Sequence, residues 1–324
     1  MRIAFWVNHA LQVKTSQTTS MLIVAAVARG HEVWVCGVDD LGVDGRGRVV
    51  AHARPVGAEA DGGELLQVGT AERLDLLTVD GVAIRTNPGR GGRAGSHAAA
   101  LGYAELLQER NVTVLNDPRG LRRTASKLFL AGLPGHLRPR TAIGSDLELL
   151  REFVREASGP TVAKPLVGTR GQGVFKLAPE DPNLEAILST LTESGPAMVQ
   201  DYIPEASAGD MRLVVLEGEP LCVEGAYAAV QRRPAPTDWR SNIHLGGTPR
   251  PGAPTESQLS AGRELAQLLL AEGIMLAGLD LIGTRAVEVN VFSTGGLRDA
   301  NAFSGKDFCQ PILDAFERRL RTPR

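Results

Sequence analysis

The sequence predicts an α/β protein in which an N-terminal domain, built on a mostly parallel sheet covered by helices, is followed by two α+β units. Three observations carry this expectation. The chain opens with apolar strands alternating with helical patterns, the mark of β-α-β units. From about Ser126 that alternation gives way to short strands, hairpins and a glycine-rich loop. At 324 residues, 43% of them apolar, the chain also exceeds the length at which one core usually divides.

In the first unit, residues 1–123, "RIAFWVNHA" holds an apolar run from Ile3 to Val7. The run is too short for a signal-peptide core or a membrane span and reads as a buried strand. "TTSMLIVAAVARG" follows as a helix with a Thr/Ser cap and Gly30 as its stop, then "HEVWVCGV" as a second strand. "GVAIRT" and "VTVLND" repeat the strand signal around the helical "GSHAAALGYAELLQER".

The second unit, 124–200, starts with the short helix "SKLFLAGL" and the helix "SDLELLREFVREA", whose start matches the capping box Ser145-x-x-Glu148. Strand "PTVAKP", a glycine-rich loop, strand "VFKL", helix "PNLEAILSTLTE" and strand "PAMVQDYI" complete it. The third unit, 201–324, opens with the hairpin "MRLVVLEGEPLCVEGAYAA", turning at Glu217-Gly218. An aperiodic polar stretch, 230–247, comes next. The helix "ESQLSAGRELAQLLLAEG", the hairpin "LDLIGTRAVEVN" and the helix "DFCQPILDAFERRL" close the chain.

The hairpin at 279–290 carries chemistry. If Gly283-Thr284-Arg285 form its loop, Ile282 faces Ala286, Asp280 falls opposite Glu288, and Asn290 shares the face of Glu288. Opposed like charges, with Cβ atoms about 5 Å apart, destabilise a sheet. A cation would turn that repulsion into attraction, and two carboxylates with an amide are hard oxygen donors of the kind Mg²⁺ accepts. Ordinary solvated carboxylates are the bland alternative, and the apolar neighbours in both strands argue against it.

The loop Gly168-Thr169-Arg170-Gly171-Gln172-Gly173 lies between two strands, unlike Walker A and dinucleotide loops, which open a helix. It reads either as a flap holding phosphate through backbone N–H groups or as a flexible turn. Lys164 closes an apolar strand, where a buried ammonium needs an anionic partner unless it snorkels to solvent.

A net charge of −2 offers no basic excess for nucleic acid or an anionic membrane, so small molecules are the expected partners. Cys36, Cys222 and Cys309 show neither metal-ligand spacing nor a disulfide framework, which fits a reducing cytoplasm.

In order along the chain, "KLFLAGL", "VAKPLVGTRGQGVFKL", "DPNLEAILSTLTESG", "VQDYIP", "GDMRLVVLEGEP", "RSNIHLGGTPRP", "GLDLIG" and "VEVNV" resemble segments of the ATP-grasp ligases, and among them the prokaryotic glutathione synthetases. The resemblance covers nearly the whole chain. It implies a pre-ATP-grasp domain followed by the two subdomains of an ATP-grasp fold, with ATP and Mg²⁺, or Mn²⁺, as cofactors. Lys127, Lys164 and the flap 168–173 would bind nucleotide phosphates, Gln200, Asp201, Tyr202 and Ile203 the adenine hinge, with Asp210 alongside. Asp280, Glu288 and Asn290 would bind the metal. Arg212, and Arg240 with Asn242, would face the acyl phosphate and the substrate, under a lid formed by 230–247.

The implied reaction joins an acid to an amine, γ-glutamylcysteine to glycine in the leading reading, in a cytoplasmic homo-oligomer. A different acid and amine pair, or a silent nucleotide-binding homologue, are the alternatives. Departures cluster where substrates should bind. The family's strand-end Arg is read here as Tyr227, with Arg232 or Arg233 able to compensate. "Arg-Lys-Asp-Pro-Pro" becomes Arg85-Thr86-Asn87-Pro88-Gly89, and "Thr-Ser-Pro-Thr-Gly" becomes Phe292-Ser293-Thr294-Gly295-Gly296. Arg85 and Arg240, with Arg90 or Arg93 beside them, would grip the acid's carboxylates, and Ser293 to Gly296 are further expected substrate contacts.

Overall fold

Apolar from Ile3 onward, strand β1 (Arg2–Val7) forms the middle of the first sheet in the computed structural model, which describes residues 1–89, 92–166, 173–193, 195–236, 238–241 and 246–321. The other strands of this sheet are β2 (Glu32–Gly37), β3 (Leu41–Val43), β4 (Val49–Pro55), β5 (Glu72–Asp75), β6 (Gly81–Ile84) and β7 (Thr113–Leu115). Their order is β3-β4-β2-β1-β6-β7, with β5 beside β4. The four strands β2, β1, β6 and β7 run parallel, as the β-α-β reading predicts. The antiparallel flank β3–β5 was not foreseen. Its longest strand does alternate, with Val49, Ala51 and Ala53 buried, but it sits among Gly- and Asp-rich turns that read as loop.

Helix α1 (Thr18–Ala28) is apolar on all sides because it is covered twice, by the sheet and by the closing helix. Its expected Thr/Ser cap is corrected: Gln17 occupies the cap position without a side-chain bond, and Thr18, Thr19 and Ser20 are buried within the first turn. Gly30 does stop it, at φ +78°. Helix α2 (Ala94–Gln108) covers the opposite face, and α3 (Pro118–Thr124) leads out of the unit.

After α4 (Leu128–Ala131), the central sheet has the order β10-β9-β11-β8, all antiparallel. These strands are β8 (Thr141–Gly144), β9 (Thr161–Pro165), β10 (Phe175–Leu177) and β11 (Ala197–Asp201). Helices α5 (Leu147–Arg155) and α6 (Leu184–Glu193) bury Leu150, Val154, Leu184, Leu188 and Leu191 against it. The capping box Ser145-x-x-Glu148 is corrected too. Asp146 is the cap, accepting from the Glu148 amide at 2.9 Å, because the helix begins one residue later than the box requires.

The third sheet runs β17-β16-β12-β18-β19. It contains β12 (Asp210–Leu216), short β13 (Glu219–Pro220) beside it, then β16 (Ala229–Arg233), β17 (Thr248–Pro251), β18 (Leu276–Ile282) and β19 (Arg285–Asn290), with β14 (Cys222–Val223) and β15 (Ala226–Tyr227) forming a separate small hairpin. Glu217 and Gly218 both take positive φ, the requirement of the tight turn predicted there. Helices α7 (Glu256–Ala271), α8 (Leu297–Ser304) and α9 (Cys309–Arg321) complete the chain. The lid expected at 230–247 is shortened by this arrangement, since 230–233 belong to β16.

Asn116 ties the first sheet to the third. Its Nδ2 donates to the carbonyls of Leu276 and Val291, both at 2.8 Å, while its Oδ1 accepts from the amides of Met275 and Leu276 at 2.9 and 3.0 Å. A buried amide with both donors and its acceptor engaged fixes where β18 starts and where β19 ends.

Candidate active site

Asp280 and Glu288 are directly opposed on β18 and β19, as the sequence predicts, though by a different route. The turn takes two residues, Gly283-Thr284, rather than the expected three, with Ile282 paired to Arg285 and Leu281 to Ala286. Gly283 supplies the positive φ, +57°, that such a turn needs. Uninterrupted pairing from there would set Asp280 against Val287. A bulge beside Asp280 and Leu281 absorbs one residue and restores Glu288 to that position. Asn290 then faces Gly278 and shares the side of Glu288.

Two cross-strand pairs of opposite charge surround Asp280. Arg212 on β12 is opposite Asp280, and Asp210 is opposite Arg232 on β16. Arg212 binds Asp280 in a two-pronged contact whose Nη2 arm measures 2.9 Å. Arg232 binds Asp210 through Nε at 2.8 Å and reaches Asp280 at 2.8 Å. Burial alone would raise the Asp280 pKa, but the two arginines outweigh it and hold the carboxylate at about 2. Asp210 is pushed up, first by burial and then by the charge of Asp280, which Arg232 and the more weakly acting Arg212 do not offset.

Glu288 is in the opposite situation. Burial, then Asp280, raises its pKa, and among the described residues it forms no ion pair. The Asn290 Nδ2 is buried without a partner. No group of three or more His, Cys, Asp or Glu side chains among the described residues could hold a metal, so a cation here would rest on two carboxylates and the Asn290 amide. Glu288, without an ion-pair partner among the described residues, and the Asn290 Oδ1 are the oxygen donors for a divalent ion beside the paired Asp280, while the Asn290 Nδ2 suits a water or phosphate oxygen completing the shell.

Across a cleft whose empty space, counted out into open solvent, is about 990 Å³, the central sheet presents its cations to this hairpin. Lys127, just ahead of α4, donates to the Leu166 carbonyl at 3.0 Å, and Lys164 on β9 donates to the Val287 carbonyl at 3.2 Å. Burial lowers both pKa values. For Lys164 the nearby Lys127 adds to the effect, leaving it at about 8 despite Glu288 and Asp280.

Gln200, Asp201, Tyr202 and Ile203 line the same cavity, as do Asp210, Arg232, Trp239 and Arg240. Gln200 donates to the Thr141 hydroxyl at 3.1 Å, and Arg240 grips Asp238 at 2.8 Å. Trp239, and Lys176, whose ammonium lies 3.7 Å from the centroid of the Tyr202 ring, carry no sequence signal for this site, while Arg232, expected in the lid, stands in β16. The one signal for Arg232 was Pro234, which ends a run compatible with a strand.

A second cavity, sharing Lys127 and Glu288 with the first, is lined by Asn87, Phe129, Leu130, Asn290, Phe292 and Ser293. Arg85 lies behind it, 5% exposed, its Nη2 donating to the Thr294 carbonyl at 3.2 Å and its Nε unpartnered. Burial lowers its pKa to about 10. The Gly295 carbonyl accepts from Arg212 at 3.2 Å, and Gly296 caps α8 at φ +98°.

Tyr227 is corrected. It lines neither cavity and instead faces Cys222 in the small hairpin, close enough to Arg263 to act on its charge. The strand that joins the sheet is β16, and it carries Arg232 near its end, opposite Asp210. Gly168 to Gln172, Arg90 and Asn242 lie outside the described residues, while Gly173 is described with φ +66°.

Comparison with known proteins agrees along the chain. Residues 1–122 match the family "Prokaryotic glutathione synthetase, N-terminal domain", and residues 126–305 match "Prokaryotic glutathione synthetase, ATP-grasp domain". The glutathione synthetase of Vibrio parahaemolyticus is 30% identical over 314 residues, 96% of each chain. That of Brucella melitensis is 31% identical over 322 residues, covering 98% of this chain and 99% of its own. Among solved structures, the D-cycloserine synthetase DcsG superposes with a TM-score of 0.67 at 19% identity, covering 98% of this chain and 100% of its own. The ATP-grasp ligase PsnB with its minimal precursor gives 0.65 at 18% identity, covering 98% and 99%. At such identity the structures speak for the fold alone. The paired acids, the facing lysines and the matched families lead to one conclusion: the chain belongs to the prokaryotic glutathione synthetase family and is an ATP-grasp ligase that forms C–N bonds.

Proposed function

We propose that the protein joins γ-glutamylcysteine to glycine at the expense of ATP, and that the divisions 1–123, 124–200 and 201–324 are its working units. The carrying observation is the cavity in which two buried lysines face the Asp280–Glu288 pair beside the segment 200–203. In this reading Lys127, Lys164 and the flap 168–173 hold the phosphates, and Gln200 to Ile203 with Asp210 border the base. Asp280, Glu288 and Asn290 would hold Mg²⁺, or Mn²⁺, which accepts the same oxygen donors and supplies charge neutralisation at the transferring phosphoryl group.

The acid's carboxylate oxygen attacks the γ-phosphorus, and ADP leaves. The amine nitrogen then attacks the acyl carbon, loses a proton, and inorganic phosphate departs as the amide forms. Arg212, Arg240 and Asn242 would steady the negative charge through both steps, and Arg85, Arg232 and residues 293–296 would orient the acid. Cytoplasmic location and a homo-oligomeric state belong to the proposal. No helix of the described residues is long and apolar enough to cross a membrane.

The test is product formation from γ-glutamylcysteine, glycine and Mg-ATP, followed by ADP release and mass spectrometry. A second reading, ligation of another acid and amine, is favoured by the apolar wall of Phe129, Leu130 and Phe292 in the second cavity. It prevails if that substrate pair is inert while another turns over. Tight ATP binding without turnover across a broad panel would indicate a silent binding module.

Nucleotide affinity is expected to fall as pH rises through about 8, where Lys164 loses its proton in the free protein. Bound phosphate would raise that pKa, so calorimetry in buffers of differing ionisation heat should detect proton uptake near this pH. The folding contribution has its own sign. The unfolded Lys164 keeps its proton to about 10.5, so its burial costs stability below about 8 and ceases to do so as pH climbs between those values. Affinity that is flat from pH 7 to 9 would remove Lys164 from the phosphate site.

Limited proteolysis tests the lid. Trypsin is expected to spare the bond after Arg232, which is buried in β16, and to cut after Arg240 unless Mg-ATP and substrates protect it. Equal cleavage after Arg240 with and without them would count against closure.

A further inference from the structure

We propose that Trp239 caps the nucleobase, so that the base of the nucleotide, rather than its phosphates, the acid or the amine, engages this indole. The inference rests on the ATP reading above and adds a specificity residue to it. Trp239 lines the same cavity as Gln200 to Ile203 and the two lysines, although it comes from the polar stretch after β16. Its ring meets that of Tyr202 at 78°, with centroids 6.0 Å apart. Tyr202 is itself fixed from another direction by the Lys176 ammonium, 3.7 Å from its centroid.

The turn bearing Trp239 is also held. Asp238 accepts from the Arg240 backbone amide at 2.9 Å and from its guanidinium at 2.8 Å, closing a loop around the residue between them. An indole that lines the cavity and meets a braced tyrosine edge to face supplies an aromatic surface against which a base could stack. Stacking of a base on such a ring tolerates different bases but needs one to be present. Triphosphate alone, gripped by the lysines, would leave Trp239 as it is.

Tryptophan emission can read this directly. Trp6 and Trp34 are buried in the first sheet, 0% and 7% exposed, which leaves Trp239 as the responsive fluorophore. Mg-ATP and Mg-ADP are expected to change the emission of the full-length protein, Mg-tripolyphosphate is expected to leave it unchanged, and Trp239→Phe should abolish the response. Trp239→Ala should raise KM for ATP about tenfold, the size expected when one base loses its stacking partner, while KM for γ-glutamylcysteine moves less than about twofold. Trp239→Phe should recover most of the ATP affinity.

Equilibrium dialysis with labelled ATP separates the failures. If ATP binds yet emission does not change, or if tripolyphosphate produces the same change, the capping role falls and the ATP reading stands. The role also falls if Trp239→Ala raises the acid's KM as much as that of ATP. If no ATP binds at all, both are overturned.

Discussion

Glu288→Gln is expected to abolish ligation, with kcat lower by on the order of a thousandfold or more, while the fold survives. A cation anchored between opposed strands is asked to supply several kcal/mol of charge stabilisation to phosphoryl transfer, and each 1.36 kcal/mol is a factor of about ten. Replacing one carboxylate by an amide weakens that anchor where it matters most, since Glu288 has no ion-pair partner among the described residues. Asn290→Ala should act in the same direction.

Stability should respond differently. The Glu288 pKa is raised by burial and by Asp280, so in the metal-free protein its ionisation costs stability that is lost as pH climbs from the ordinary 4.5 to that elevated value and stays lost above it. Glu288→Gln removes the cost, and Tm should stay level or climb slightly. Differential scanning calorimetry beside an ADP-release assay reads both quantities. A clear drop in Tm with retained turnover would show that the carboxylate pair holds the sheet together instead of holding a cation.

Arg232→Met is expected to give the largest loss of stability among changes at the site, about 3 to 5 kcal/mol, or on the order of 10 °C in Tm. Arg232 is flanked by two buried carboxylates, Asp210 at 5% and Asp280 at 2% exposure, and its removal takes away the cation directly opposite Asp210. Two consequences distinguish this from ordinary loss of packing. Adding Asp210→Asn should recover part of the stability, because the uncompensated charge goes with it. Mg²⁺ should raise the Tm of Arg232→Met more than that of the parent protein, since a cation beside Asp280 replaces part of the missing charge. A Tm within about two degrees of the parent would mean that the carboxylates accept protons at little cost.

The parts of this fold that were legible in the sequence are those whose signal is periodic and local. Apolar β1, the helix closed by Gly30 and the tight turn at Glu217-Gly218 follow from propensity and backbone geometry alone. The opposition of Asp280 and Glu288 was readable as well, although two errors of one residue cancelled: the loop was taken one residue too long, and the bulge went unseen.

What stayed hidden was decided by partners distant in the chain. Arg232 reads as a loop residue because its surroundings are polar, and only the carboxylates of Asp210 and Asp280, 22 and 48 residues away (232 − 210 and 280 − 232), make a buried strand position tolerable. Tyr227 was misassigned for a related reason, since the chain makes an extra small hairpin before rejoining the sheet. At caps, a shift of one residue turns Asp146 rather than Ser145 into the acceptor, and sequence spacing cannot resolve so fine a difference.

The bulge in the last hairpin separates the tip of that hairpin from its working end. Between them, any change in length has two distinct fates. Residues added at Gly283-Thr284 lie beyond the irregularity and can loop out, leaving Glu288 opposite Asp280. Removing Val289 instead would leave Glu288 in place but draw Asn290 opposite Leu279, turning its amide to the other side of the sheet. The hairpin therefore offers a place to graft a tag or a reporter peptide within a few residues of the proposed cation site, and a single-residue deletion next door that silences it without altering any of the residues named as ligands.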